Sequence, residues 1–536
     1  MSGENLDRSA DLVVVGSGAA GFAAAITGRR AGLDVLMLER CRELGGTTAR
    51  SGTWIWVPNN RLMRDAGLDD PRDAALRYMA RLARPERFRR DDPVLGLPVD
   101  EYEMLAAFYD HAADAIDELA AVGALDPVMR ADAPDYFAEL PENAAPYGRV
   151  IVSRGRERGD QLTGRELIHD FASAARRLGV QIETDARVTD VIGSTDAVDG
   201  VVSRGRTIRA RQGVVFATGG FALADDLMTE FIGAPLRTTG AAHGAEGDFL
   251  RLGLRVGARL RNMGEAWMAP VPIELIGDRG ALATNIFALR GDSMILADAA
   301  GSRVTNEKLP YHELTSVFLR WDPATASYPN LRLFMIFDEA ARKLFADGKS
   351  GNPLPADNRD AAHVVTGDTW DDLVQRLGHR LETAPFEVSA GIRLAPHFGR
   401  TLRRTIERFN GDARRGVDRA FGRGTSAIEL FRNGPPRPGH TGNPTLHPFG
   451  AGPYHAIILA PATLDTKGGP ATDTHGRVLA ASGKPIEKLY AAGNCAGFPS
   501  GRSYWGGGAT IAIAITFGRR AALHASIGCN GGMRPP

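Results

Sequence analysis

The residues of this chain best suited to chemistry are glycines spaced around a single carboxylate. The apolar run Val13-Val14-Val15 leads into Gly16-Ser17-Gly18-Ala19-Ala20-Gly21. Glycine at 16, 18 and 21 permits a tight turn, close approach of the backbone to a pyrophosphate, and close packing of the following helix. Glu39 ends the next apolar run, Val35 to Leu38, about 20 residues further on, where a carboxylate accepts hydrogen bonds from a ribose. This spacing predicts a bound dinucleotide. Near the other end, Gly501-Arg502-Ser503-Tyr504-Trp505-Gly506-Gly507-Gly508-Ala509-Thr510-Ile511 sets more glycines before another helix start.

The intervening segments bear on which dinucleotide. A domain for NAD alone would pass from Glu39 into another strand–helix unit. Here the chain reads Arg40-Cys41-Arg42-Glu43-Leu44-Gly45-Gly46-Thr47-Thr48-Ala49-Arg50-Ser51-Gly52. These glycines and hydroxyls suit a backbone passing close to a flat ring system and its ribityl phosphate. Two later apolar strands end in glycine: Gly213 to Phe216 before Ala217-Thr218-Gly219, and Lys488 to Ala492 before Gly493-Asn494. Strand ends of this kind face the ligand crevice of an open parallel sheet. Together these segments resemble two-domain FAD flavoproteins whose N- and C-terminal parts jointly enclose the cofactor, which implies FAD, held non-covalently because no feature demands a covalent link. Its contacts are expected from Gly16 to Gly21, Glu39, Arg40, Gly45 to Thr48, Ser51, Gly52, Ala217 to Gly219, Gly493, Asn494, and Gly508 to Ile511.

Around these segments the pattern predicts an α/β, two-domain flavoprotein: a Rossmann-like FAD-binding domain with an inserted α+β substrate domain. Residues 1–270 form the first part of the FAD-binding domain, 271–450 the inserted catalytic domain, and 451–536 the returning C-terminal part. Glu101 to Val122 has helical spacing, and Thr163 with Glu166 makes a capping box before another helix. Gln181 to Thr218 reads as a β-meander with turns at Asp199-Gly200 and Arg204-Gly205. Isolated strands are expected at Ser293 to Leu296 and Leu331 to Phe337, and a last helix over Ala509 to Leu523.

With 536 residues the chain can bury ample core. Its 64 basic and 64 acidic side chains leave no net field to recruit nucleic acid. Cys41, Cys495 and Cys529 are too dispersed for a disulfide framework or a metal site. No segment offers the roughly 18 apolar residues of a membrane span, and Met1 to Ala10 lacks a signal-peptide apolar region. The expected location is cytoplasmic, with peripheral membrane contact if the substrate is apolar.

At the motif level the chain resembles the fumarate reductase and 3-ketosteroid dehydrogenase superfamily. Fumarate reductases carry an arginine four residues beyond the Glu of an Asn-Glu pair, a carboxylate-binding arginine before the terminal glycines, and a histidine before a Gly-Gly pair. Here those places hold Tyr311 (after Asn306-Glu307-Lys308-Leu309-Pro310), Tyr504, and Asp465-Thr466-Lys467 before Gly468-Gly469. The same residues are similar to the 3-ketosteroid Δ1-dehydrogenase branch, with its Asn-Glu-x-x-Pro-Tyr and Tyr-x-Gly-x-Gly-Ala-Thr patterns. Ala49-Arg50-Ser51-Gly52, Trp56-Val57-Pro58-Asn59-Asn60 and Asp135-Tyr136-Phe137 resemble it too. Trp505, where the branch usually has proline, and the extra Gly507 bear on which ring substituents fit.

That resemblance implies 1,2-desaturation of a ring ketone. Tyr311 would be the base, Tyr136 its hydrogen-bonded relay, and Tyr504 hydroxyl with Gly508 N–H the donors to the carbonyl. Phe287 and Trp505 would line the substrate pocket, and an electron acceptor such as a quinone would reoxidise the cofactor. The alternatives are a flavin-dependent C=C reductase, desaturation of another cyclic ketone, and a flavoprotein that binds without catalysis. Each residue also has an ordinary reading. A core tyrosine packs its ring and satisfies its hydroxyl locally. His312, in an extended segment, would face away from Tyr311. His440, His447 and His455 lack metal-ligand spacing; no metal is expected. Arg84, Arg87, Arg89 and Arg90 with Asp91 and Asp92 read as a solvated face, and Met63, Met79 and Met104 as core.

Overall fold

A computed structural model describes residues 8–154, 163–236, 238–276, 286–346, 351–355 and 361–527. Cys529 lies outside them. The chain separates into two compact units, one of 1–233, 241–266 and 465–536, the other of 234–240 and 267–464.

The first unit is built on an eight-stranded sheet. Its central strand, Arg8–Val15, pairs in parallel with Val35–Leu38 on one side and Arg206–Phe216 on the other, with Val13 opposite Leu36 and Val214. Pro485–Ala491 extends the parallel set beyond Arg206–Phe216, and Gln181–Glu183 extends it beyond Val35–Leu38. Strands buried on both faces are near-continuous in apolar residues, as Leu12 to Val15 and Val35 to Leu38 are. On one face Val13, Leu36, Val214 and Leu489 join Phe249 and Leu252 in a core where Phe216 stacks on Phe249 at 4.2 Å. The helices Ala19–Arg30 and Ala509–Ser526 approach closely: a Cβ on Gly518 would stand 2.3 Å from the Ala20 carbonyl oxygen.

The meander follows the strands Val188–Gly193, Val198–Ser203 and Arg206–Phe216. Arg204 and Gly205, both at positive φ, make its second turn. Gly200 differs from the expected turn: it lies inside a strand, paired with Ile192 and Arg209. A side chain there would meet the Ile208 carbonyl at 2.2 Å, so this glycine serves close strand approach. Helices run over Val99–Ala121 and, behind the Thr163–Glu166 capping box, Gly164–Arg177. A small antiparallel sheet of Ile55–Trp56, Val150–Ser153 and Pro127–Met129 completes the unit.

The second unit centres on a five-stranded sheet ordered Ala266–Pro272, Tyr454–Thr466, Leu333–Asp338, Met294–Ala297, with Val364–Gly367 also on Tyr454–Thr466. The period of two divides its residues. Phe334, Ile336, Ala456 and Ile458 face the helices Trp370–Thr383 and Phe398–Arg415 through Leu373, Leu377, Leu402 and Phe409. Met335, Phe337, Ile457 and Leu459 face the helix Tyr311–Phe318 through Leu314, Val317 and Phe318. This unit extends to Leu464, beyond residue 450, because Tyr454–Thr466 is a strand of its sheet. No described helix is long and apolar enough to cross a membrane.

Candidate active site

In the first unit the C-terminal ends of the parallel strands open on a cleft lined by Val15 to Ala20, Leu38 to Cys41, Gly46 to Ser51, Phe216 to Gly219, Ala492 to Asn494, Thr510 and Ile511. Gly16 has φ +102°, and a Cβ there would stand 2.4 Å from the Ala217 carbonyl. A Cβ on Gly21 would fall 1.9 Å from the Gly16 carbonyl, so Gly21 packs the turn rather than lining the cleft. Gly45, Gly52, Gly508 and Ala509 also stand outside the lining. The first helix begins at Ala19 behind Gly18, which supplies no side-chain cap, so the first-turn N–H groups beyond Ala19 can face an anion. Glu39 is buried and accepts from Ser17 N at 3.0 Å, Ser17 Oγ at 2.6 Å and Cys41 N at 2.9 Å. Thr48 Oγ1 accepts from Ala19 N at 3.1 Å, tying the hydroxyl-rich segment to the helix start.

Among the lining residues that the sequence reading did not single out are Arg50, Arg165 and Asp465. Arg50 and Arg165 both face the cleft, and burial followed by mutual repulsion lowers the Arg50 pKa, which suits an anionic ligand. Arg165 comes from the helix Gly164–Arg177 and Asp465 from the strand that re-enters the first unit, whereas Arg50 sits within the Ala49-Arg50-Ser51-Gly52 motif. The cleft fits a dinucleotide: an uncapped helix start, cations, and glycines along its wall. Arg40, by contrast, also pairs with Glu246 at 2.9 Å and Asp248 at 3.2 Å.

Also in the first unit, Tyr504 is 4% exposed, and its hydroxyl accepts from the Gly508 N–H at 3.2 Å. The two expected carbonyl donors are therefore neighbours, with the Gly508 N–H directed at the Tyr504 hydroxyl. Gly508, at φ +93°, caps the last helix, and a Cβ there would fall 1.9 Å from the Trp54 carbonyl. Gly507 lies under the half-buried Trp54 ring, which a Cβ would meet at 2.5 Å, so the extra glycine accommodates that indole. The Tyr136 ring packs edge-on to Tyr504 at 5.4 Å. Beside it, Asp135 accepts from Trp56 Nε1 at 2.6 Å and from Arg149, which also holds Asp70 through two bonds of 2.6 and 2.9 Å. Burial pushes the Asp135 carboxyl up to about 6 despite Arg149.

Trp505 is placed differently from its expected substrate pocket. It is 1% exposed and packs with Trp56, Phe108 and Phe498 at 5.7–6.1 Å, while its carbonyl accepts from Tyr78 Oη and Tyr136 N. Four large rings gathering in one core outweigh the pull of the neighbouring motif. Lys467 donates to the carbonyls of Gly501, Arg502 and Ser503, supporting the loop before Tyr504.

The second unit holds Tyr311 and Phe287, with ring centroids 5.0 Å apart. Tyr311 opens the helix Tyr311–Phe318 behind Pro310, so the extended segment expected here is instead a helix start, with φ pre-set by the proline. The Arg432 guanidinium lies 4.8 Å from the Tyr311 ring centroid and also donates to the Phe287 carbonyl. His312 is buried, and its Nδ1 accepts from Met268 N at 3.2 Å. Asn306 Nδ2 donates to Glu429 at 2.9 Å, while Glu307 pairs with Arg303 and Arg423. Burial holds Lys308 well below the ordinary lysine pKa, its Nζ on the Leu289 and Gly291 carbonyls. The motif thus braces Tyr311 from behind.

The remaining histidines have local partners: His455 with Glu339 and Thr366, His440 with the Asn443 carbonyl, His447 with the Pro448 carbonyl. No group of metal-binding side chains occurs among the described residues. Arg84 departs from the expected solvated face by pairing with Glu101 at 2.9 Å, while Arg87, Arg89, Arg90 and Asp91 are exposed and Asp92 is half-buried. Met63, Met79 and Met104 are core.

Residues 11–511 match the family model described as FAD binding domain. The chain is 30% identical to 3-oxosteroid 1-dehydrogenase of Mycobacterium tuberculosis, over 96% of this chain and 98% of that protein. It is also 30% identical to 4-oxocyclohexanecarboxylate 2-dehydrogenase of Sinomonas cyclohexanicum, over 95% and 91% respectively. Its fold is similar to that of 3-ketosteroid delta1-dehydrogenase from Sterolibacterium denitrificans, with TM-score 0.81, 24% identity, and coverage of 97% of this chain and 100% of the other.

Proposed function

Because the chain belongs to the FAD binding domain family, we propose that it desaturates a 3-ketosteroid between C1 and C2, beside the ring ketone. The protein is a FAD-dependent oxidoreductase acting on CH–CH groups, and its cofactor is FAD. The observation that supports the finer reading is the 3.2 Å bond from Gly508 N–H to Tyr504 Oη, which sets these two groups side by side on a buried wall.

The bound cofactor supplies a hydride acceptor at flavin N5. The chain's own residues manage the proton and the carbonyl. As the proton α to the ketone leaves, charge grows on the carbonyl oxygen; Tyr504 Oη, and Gly508 N–H once it exchanges the Tyr504 oxygen for the ketone, donate to it and lower the barrier. Tyr311 takes the proton. A tyrosine of ordinary pKa, about 10, is a poor base near neutrality. The Arg432 cation over its ring and its place at the helix start move it toward the phenolate form. Tyr136 serves as relay, and Phe287 as a wall of the substrate pocket. A quinone-type acceptor and a cytoplasmic setting complete the reading.

A second reading has its own support. The chain is as similar to a dehydrogenase of a monocyclic keto acid as to the steroid enzyme. One assay separates the two: turnover of androst-4-ene-3,17-dione and of 4-oxocyclohexanecarboxylate with an artificial electron acceptor, the products identified by mass and NMR. The steroid reading expects a 1,4-diene-3-one; turnover of the keto acid alone would replace it.

A further inference from the structure

Asp465 is a buried carboxylate that the chemistry above does not use. It is 1% exposed and lines the cofactor cleft beside Gly219 and Asn494. Its Oδ2 accepts from Gly220 N at 3.1 Å and Asn494 Nδ2 at 3.1 Å, and its Oδ1 from Thr466 N at 2.8 Å. Three strand ends thereby meet on one carboxyl group. Among the described residues no cation pairs with it. Lys467, two positions on, instead donates to the carbonyls of Gly501, Arg502 and Ser503. The segment Ala217 to Gly220 packed beside Asp465 carries no titratable side chain. The turn Gly493–Cys495 carries only Cys495, whose thiol donates to the Phe216 and Ala492 carbonyls and is pushed up to about 11 by burial.

Two opposed effects act on this group. Burial disfavours its charged form and raises its pKa, while three N–H donors favour that form. With no cation to fix the balance, a new negative charge in the same cleft decides it. Reduction of the flavin by a hydride supplies one: two electrons and one proton enter a ring system that was neutral.

We propose that Asp465 is a redox-linked proton acceptor of the cofactor cleft. As the cofactor is reduced, Asp465 takes one proton from solvent, cancelling the added charge; as the electron acceptor reoxidises the cofactor, the proton returns. The inference rests on FAD binding and not on the identity of the ketone, so dithionite is the reductant in its test.

The test is a reduced-minus-oxidised infrared difference spectrum of the wild-type holoprotein and of Asp465→Asn. The wild type should gain the C=O stretch of a carboxylic acid and lose a carboxylate stretch on reduction, and Asp465→Asn should do neither. Asp465→Glu, which keeps the carboxyl, should retain a shifted signal and serves if the asparagine variant fails to hold FAD. The midpoint potential gives an independent readout. Over the pH window in which the proton is taken up, the wild type should fall more steeply than Asp465→Asn, by about 30 mV per pH unit for one proton per two electrons. Absence of the carboxyl signal in the wild type, its persistence in Asp465→Asn, or parallel potentials at every pH would overturn the proposal.

Discussion

Tyr504 and Tyr311 separate cleanly by substitution, because each loses one hydroxyl and keeps its ring. Tyr504→Phe removes a donor to the developing charge, so kcat should fall by roughly 10²-fold or more with FAD content unchanged. Tyr311→Phe should lose roughly 10²- to 10⁴-fold while still binding ketone, because a general base contributes that much. Activity of the wild type should rise with pH as the phenol deprotonates. Arg432→Met removes the cation that favours the phenolate, so the midpoint of the kcat/KM profile should move to higher pH; an unmoved midpoint would detach Arg432 from the base. At this scale the fingerprint glycines and Glu39 stand at the strand-end turn and cleft wall where their spacing puts them, because local backbone geometry sets those positions. The sequence misdirected for Trp505, because adjacency to Tyr504 says nothing about the ring cluster formed with Trp56, Phe108 and Phe498, which come from distant elements. Asp465 was read only as a missing histidine, since its burial depends on where three strands end.

Among the elements, the strand Ile55–Trp56 and the last helix depend on each other through glycine. Gly508→Ala would put a Cβ 1.9 Å from the Trp54 carbonyl at a positive φ, so the helix start must shift. Activity should be lost together with part of the FAD affinity, in contrast to Tyr504→Phe; titration of FAD onto the apoprotein distinguishes them. The buried Arg149 bridges Asp70 and Asp135 beneath Tyr136. Arg149→Met strands two carboxylates without their cation and should lower stability by about 3–5 kcal/mol in urea unfolding. Element types were legible wherever period and punctuation agreed, as in the Thr163 capping box and the apolar parallel strands. Gly200 was misread as a turn because a glycine serving close strand approach looks identical in sequence to one serving a reversal. Tyr311 was placed in an extended segment because eight helical residues after a proline give too little periodicity to declare themselves.

On the scale of the whole molecule, the chain leaves its first unit and returns to it to finish a cofactor cleft, so ligand and fold are linked. FAD binding only the native state should stabilise it by about 2.7 kcal/mol at a hundredfold excess over Kd, seen as a melting temperature that climbs with added FAD. The two-part organisation was readable from glycine-rich motifs at both ends of the chain. The end of the inserted unit was less so, because Tyr454–Thr466 is a single unbroken strand with no compositional change where the units divide. Whether a ring ketone delivers its electrons to the bound flavin is read out by anaerobic mixing. The oxidised flavin absorbance should bleach when androst-4-ene-3,17-dione or 4-oxocyclohexanecarboxylate is added without acceptor, with the dehydrogenated ketone recovered in proportion to the flavin reduced. A flavin that stays oxidised with both ketones, yet bleaches with dithionite, would contradict that delivery.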